Sequence, residues 1–205
     1  PNMGLYFQPD GPYPNPAELL PLGKIPEALE AQEVAMEHLF ADLVTIGKDM
    51  NAMGCEGLNF DTAASAGDAD FKATLKAAEK LKILAAGMSI VVGMCSEFVM
   101  GMHGDITYKG KRLAGIYPHE QVKVVEEAGA DIFGPAINVN TSESIPWNLA
   151  RAVTFVKETV AVADIPVHPN VGMGVCGVPM FEVPPVDAVT RASKSLVQIG
   201  KADGL

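Results

Sequence analysis

Ala128-Gly129-Ala130-Asp131-Ile132-Phe133-Gly134 is the stretch on which the fold turns. A helical segment ends in a small residue and a glycine, a short linker follows, and an apolar run begins. Glycine suits the left-handed residue that closes a helix, because it lacks the Cβ that makes this conformation costly. The same grammar occurs at Met53-Gly54-Cys55-Glu56-Gly57-Leu58-Asn59-Phe60-Asp61 and at Ile199-Gly200-Lys201-Ala202-Asp203-Gly204-Leu205. Helix-to-strand entries repeated in this way read as βα units on a parallel sheet.

Working outward, two further strands are predicted at Ser89–Met94 and Ile165–Val171, which puts strand starts near residues 57, 90, 132, 166 and 204. The intervening helices are predicted over Ala28–Met53, Asp68–Leu84, Pro118–Ala128, Trp147–Ala163 and Pro185–Ile199. In the first, Val34, Leu39, Leu43, Ile46 and Met50 fall on one side. Asp68 is placed as an acidic N-cap, and Pro118 as a first-turn proline. The fold class is α/β, a partial (β/α)8 barrel with parallel strands alternating with helices. An open doubly wound sheet is the competing architecture. The whole chain, 1–205, reads as a single incomplete barrel domain. Within it, residues 1–26 form a proline-rich, turn-rich loop and 27–205 hold the successive βα units. The last repeat stops just inside its strand, so the chain is expected to be cut there. Ile106–Ile116 reads as a small hairpin turning at Lys109-Gly110, either a surface insertion or a rim or partner-contact element.

Composition narrows the function. Hydrophobic residues make up 48% of the chain and charged residues 20%, a globular balance. The net charge of −10, with no Lys/Arg cluster, argues against nucleic acid and against an anionic membrane surface. The most apolar run, Ile83 to Cys95, is too short to span a membrane and reads as a strand buried on both faces. The chain begins at Pro1 with no signal peptide pattern, and its three cysteines are odd in number and far apart. That points to a reducing, cytoplasmic compartment.

Several motifs are weak. Gly172-Met173-Gly174-Val175-Cys176-Gly177 fits G-x-G-x-x-G. However, three prolines between Val178 and Pro185 delay the helix that would have to open on a pyrophosphate. A flexible active-site loop is the better reading. No metal is expected: His38, His103, His119 and His168 lack metal-binding spacing, and the cysteines have no C-x-x-C pair. Barrel enzymes can assemble zinc from separate strands, and Cys95, Cys176 and His168 are the residues that could meet in that way. His38, mid-helix, reads as structural.

In a βα barrel the chemistry sits at the C-terminal strand ends. The polar residues there are Asp61, Glu97, Asn138, Asn140, His168 and Asn170, with Glu182 in the loop beyond. The carboxylates Asp61, Glu97 and Glu182 are the catalytic candidates. Asn138, Asn140, His168 and Asn170 are the substrate-binding candidates.

Pro1-Asn2-Met3-Gly4-Leu5-Tyr6 with Pro9-Asp10-Gly11-Pro12 resembles the dimethylamine:corrinoid methyltransferase family of methylotrophic methanogens. So do Asn59-Phe60-Asp61-Thr62, Gly101-Met102-His103-Gly104, Asn148-Leu149-Ala150-Arg151-Ala152-Val153-Thr154-Phe155 and, most specifically, Pro184-Pro185-Val186-Asp187-Ala188-Val189-Thr190-Arg191-Ala192-Ser193-Lys194. Cys176 departs from the glycine expected there. The resemblance implies a (β/α)8 barrel that moves a methyl group from dimethylamine to the Co(I) corrinoid of a separate protein. The chain itself would then bind no cofactor directly. Its partners would be the corrinoid protein and dimethylamine, and it would be a homo-oligomer when full length. The resemblance also places pyrrolysine directly after the segment matching Ile199–Leu205, so the 205-residue chain is expected to be inactive by itself. Two readings stay open beside it. One is a related corrinoid- or zinc-dependent barrel methyltransferase, and the other is a non-catalytic module docking on a corrinoid protein.

Overall fold

The computed structural model describes residues 3–95, 97–102, 104–135, 146–169 and 185–205. Its internal contacts group the chain into two compact units. The first takes the residues up to Leu58, then Ala63–Ser89 and Val99–Gly115; the second takes Asn59–Thr62, Ile90–Phe98 and Ile116–Leu205.

The first unit is built on helices. After a 3-10 turn at Met3–Tyr6 come a short α1 (Pro16–Leu19), a second 3-10 turn (Leu20–Leu22) and the long α2 (Ile25–Ala52). The segment expected to be loop throughout therefore carries helical turns. Pro16, Pro21 and Pro26 each sit in a first turn, where the missing N–H would be unpaired anyway. α2 packs on α3 (Asp68–Leu84) with a face different from the one expected. Ala28, Ala31, Gln32, Ala35, Met36, Leu39 and Gly47 are buried, whereas Val34 and Ile46 are exposed. Small residues decide this face, because they let the two helix backbones approach closely. A Cβ on Gly47 would stand 2.5 Å from Leu81 Cδ1. Met3, Ala35, Met36, Leu39, Ala69 and Ala73 form one apolar cluster of this unit. His38 is tied into it as a structural residue, with Nε2 2.6 Å from the Tyr13 hydroxyl.

The predicted hairpin is present as β3 (Thr107–Tyr108) and β4 (Lys111–Arg112). Lys109 and Gly110 both take positive φ at its turn, 47° and 81°, as a two-residue hairpin of this twist needs. It rests on α3: Tyr108 is buried, and its hydroxyl donates to Glu79 at 3.1 Å.

The second unit carries a parallel three-stranded sheet, β1 (Gly57–Ala63), β2 (Ser89–Met94) and β5 (Ile132–Gly134), ordered β1-β2-β5. The register pairs Val91 with Ile132 and Gly93 with Gly134. A parallel bridge joins Phe133 to Val167, so the predicted strand at 165–171 is represented among the described residues by that single position. Beyond it, the Asp203 N–H donates to the Val167 carbonyl at 3.1 Å. Among the described residues, each strand of this sheet lies beside the one before it in the chain. β2 is not buried on both faces. Ile90, Val92 and Met94 are buried while Val91 and Gly93 are half-buried, and Ile83 and Leu84 belong to the end of α3. Helices α4 (Pro118–Glu127), α5 (Pro146–Val160) and α6 (Val186–Gln198) complete the unit. Ala152, Val153, Val156, Leu196 and Ala202 form an apolar cluster there.

The helix-to-strand grammar takes a concrete form. Gly54 and Gly129 hold φ of 89° and 84°, but in the third copy the left-handed residue is Lys201, at 62°. Gly200 is needed for a different reason, since a Cβ there would stand 2.6 Å from the Leu196 carbonyl oxygen. Two residues after the left-handed position comes an acid with a repeated task. Asp131 Oδ2 accepts the Ile90 N–H at 2.7 Å while its own N–H donates to the Ile90 carbonyl. Asp203 does the same to Val167, its Oδ2 accepting at 2.9 Å.

Candidate functional site

Asn59 and Asp61 alternate along β1 and so project to one face of the sheet. Opposite them the next strand has a glycine. A Cβ on Gly93 would lie 3.1 Å from Asp61 Oδ1 and 3.6 Å from Asn59 Oδ1. Gly134 stands opposite Gly93 in register, and its Cβ would meet the Gly93 Cα and the His168 carbonyl oxygen, each at 3.3 Å. On the far side His168 lies against Gly204, where a Cβ would stand 2.6 Å from Nε2. The result is a floor of two paired glycines with a carboxylate and an amide at one edge and an imidazole at the other. Asp61 is solvent-exposed, and its Oδ1 accepts the Thr62 N–H at 2.9 Å. Such a face can hold a small cation and exchange protons with it.

Glu97 sits beyond the end of β2 and is only 3% exposed. Its carboxylate forms an ion pair with Arg151 of α5, and its carbonyl accepts from Gln121 Nε2 of α4 at 3.4 Å. Gln121 Nε2 also donates to the Ile116 carbonyl at 3.1 Å. Burial pushes the Glu97 pKa up, and the Arg151 guanidinium opposes that shift. Arg151 in turn lies between two rings, 4.7 Å from the Trp147 centroid and 5.5 Å from that of Phe155.

The first unit has its own buried acids at the start of α3. Asp68, expected as an N-cap, is the first residue inside the helix, and the cap is Gly67 at φ 92°. The Asp68 carboxylate is fully buried, and neither oxygen has a hydrogen-bond partner of good geometry. Burial raises its pKa; the N–H groups of Ala69, Ile106 and Asp68 itself pull the other way, and Asp105 adds to the rise. Gly101 covers it, since a Cβ there would stand 2.4 Å from Oδ2. Asp70, also raised by burial, is better served: its Oδ2 accepts from Ser65 Oγ at 2.9 Å and from the Ala66 N–H at 3.1 Å.

Of the residues singled out from sequence, Asp61 and His168 thus share the glycine-floored face, and Glu97 is held by Arg151 beyond the strand end. Asn138, Asn140, Asn170 and Glu182 lie outside the described residues, as do His103, Cys176 and the glycine motif at 172–177. Cys55 and Cys95, the two cysteines among the described residues, are not joined to each other in a disulfide. Sequence reasoning missed Arg151, Gln121 and the buried state of Asp68. Arg151 had a readable signal: Trp147, Arg151 and Phe155 are spaced four apart on a helix, so they stack along one face. Gln121 and Asp68 had none, because their roles come from what packs over them.

No described helix is long and apolar enough to cross a membrane. The family model for dimethylamine methyltransferase (Dimeth_PyL) matches residues 1–205, and the chain belongs to that family.

Proposed function

For a member of the dimethylamine methyltransferase family with a carboxylate poised over a glycine floor, we propose transfer of a methyl group from dimethylamine to the Co(I) corrinoid of a separate protein. The match over residues 1–205 carries this reading. In the step, the C–N bond of dimethylammonium breaks and its electron pair stays on nitrogen, so methylamine leaves neutral. Cobalt supplies both electrons of the new Co–CH3 bond and passes from Co(I) to Co(III). An amine leaves only while its nitrogen is charged, which makes anionic groups beside it useful. Asp61 is the exposed carboxylate suited to meet the ammonium, and Glu97, paired with Arg151, is the second. Glu182 is the third carboxylate, and Asn138, Asn140, His168 and Asn170 would orient the substrate.

The sequential strand order among the described residues supports a (β/α)8 barrel. The family resemblance supports pyrrolysine as the group that captures the amine, a homo-oligomeric full-length protein and a cytoplasmic setting. The test mixes the full-length protein with a reduced corrinoid protein and dimethylamine. Loss of the Co(I) absorption with equimolar methylamine release is expected, and mono- and trimethylamine should react far more slowly. No cobalt methylation, or equal rates with all three amines, would overturn the assignment.

A further inference from the structure

Glu97 and its neighbour Phe98 are held by both α4 and α5. α5 contributes Arg151 to the carboxylate, and α4 contributes Gln121 to the carbonyl. Phe98 packs on Tyr117, the residue that caps α4, with ring centroids 6.1 Å apart. Tyr117 stacks on Phe155 of α5, 6.1 Å away at 21°. Phe155 closes the circuit by lying under the Arg151 guanidinium. The path Glu97, Arg151, Phe155, Tyr117, Phe98 therefore returns to its starting dipeptide. An arginine serving only as a surface counter-ion does not need two aromatic faces and a buried carboxylate.

We propose that Arg151 is a positioning residue for methyl transfer: clamped between Trp147 and Phe155, it fixes the direction and charge of the Glu97 carboxylate. This rests on the reading of Glu97 as a participant in that reaction. Arg151 does not touch the substrate; it acts through Glu97. It is the only charged group acting on Glu97 among the described residues, since Gln121 on α4 is neutral. Buried in an apolar setting without it, Glu97 would take up a proton and lose its orientation.

The full-length protein is compared with E97Q, R151Q and R151K in methyl transfer from dimethylamine over a pH series, with thermal unfolding as a check on folding. Carboxyl NMR of labelled glutamate follows Glu97 directly. E97Q should abolish the acid limb of kcat/KM. R151Q should move that limb up by at least about one pH unit and lower kcat about 100-fold. R151K, which keeps the charge but not the planar stacking, should fall between. A folded R151Q whose limb and Glu97 titration match the unaltered protein overturns the proposal, even where E97Q confirms Glu97. If R151Q fails to fold, an unmoved limb in R151K overturns it instead. An E97Q protein with unchanged kcat and pH profile removes the reading of Glu97, and this inference goes with it. A Glu97 titration that shifts in R151K, in a protein that moves no methyl group, upholds the hold on Glu97 while the methyltransferase reading falls.

Discussion

Asp68 in the first unit and Glu97 in the second are both buried carboxylates whose pKa burial drives upward, yet they are treated in opposite ways. Glu97 has a guanidinium and an aromatic frame around that guanidinium. Asp68 has only nearby N–H groups at a helix start and a glycine pressed over it. Removing a charge from water costs several kcal/mol, and a single opposite charge in good geometry repays much of that where dipoles repay less. An arginine framed by aromatic rings offsets the burial of Glu97, whereas among the described residues no cation acts on Asp68.

The largest test of this contrast is to break the pair. Arg151→Gln should cost roughly 3 kcal/mol of stability, measured by denaturant unfolding, because Glu97 is then buried alone and part of Arg151 already meets water. A cost near zero would place the two carboxylates in the same class. Next, Gly101→Ala adds a Cβ 2.4 Å from Asp68 Oδ2 and 2.9 Å from the Ala114 Cβ. Overpacking of this kind should cost about 2 kcal/mol in the same measurement.

Asp68→Asn should act in the other direction. The folded pKa of Asp68 lies above the unfolded value, so its favourable contribution is complete below that value and is lost as pH rises through the folded pKa. The asparagine loses nothing over that range. Its unfolding free energy should therefore exceed that of the unaltered protein increasingly as pH rises, by about 1–2 kcal/mol at neutral pH, and match it in acid. A constant offset at all pH values would mean that Asp68 stays charged. The smallest effect belongs to the glycine floor. Gly93→Ala should push on Asp61 Oδ1 and lower kcat/KM about tenfold, or about 1.4 kcal/mol, with little change in Tm. An unchanged kcat/KM would place Asp61 outside the reaction.

The βα order, the five main helices and the hairpin turn were legible in the sequence because each is set by local chemistry. Pro118 opens α4 and Lys109-Gly110 turns the hairpin whatever packs nearby. The buried face of α2 was not legible, since Ala28, Ala35 and Gly47 carry little hydrophobic signal and were outvoted by Val34 and Ile46. Their burial is a property of two helices meeting. Glycine at 200 was read correctly as necessary but for the wrong reason, because crowding by Leu196 rather than a positive φ demands it. For the site, position along the chain located Asp61, Glu97 and His168 at strand ends. It could not show that Glu97 needs a guanidinium from α5, a partner 54 residues away.

The paired acids Asp131 and Asp203 bear on how the chain is made. Each ties its own segment to an earlier one, Asp131 to Ile90 across 41 residues and Asp203 to Val167 across 36. β1, β2 and β5 leave the ribosome in the order in which they sit in their sheet, so β2 and β5 each find a template already exposed, at an almost constant loop-closure entropy. A strand shifted by one residue would leave the acid facing no N–H and would turn every side chain to the wrong face. Slippage is thus penalised locally, one unit at a time, before the helices lock over it.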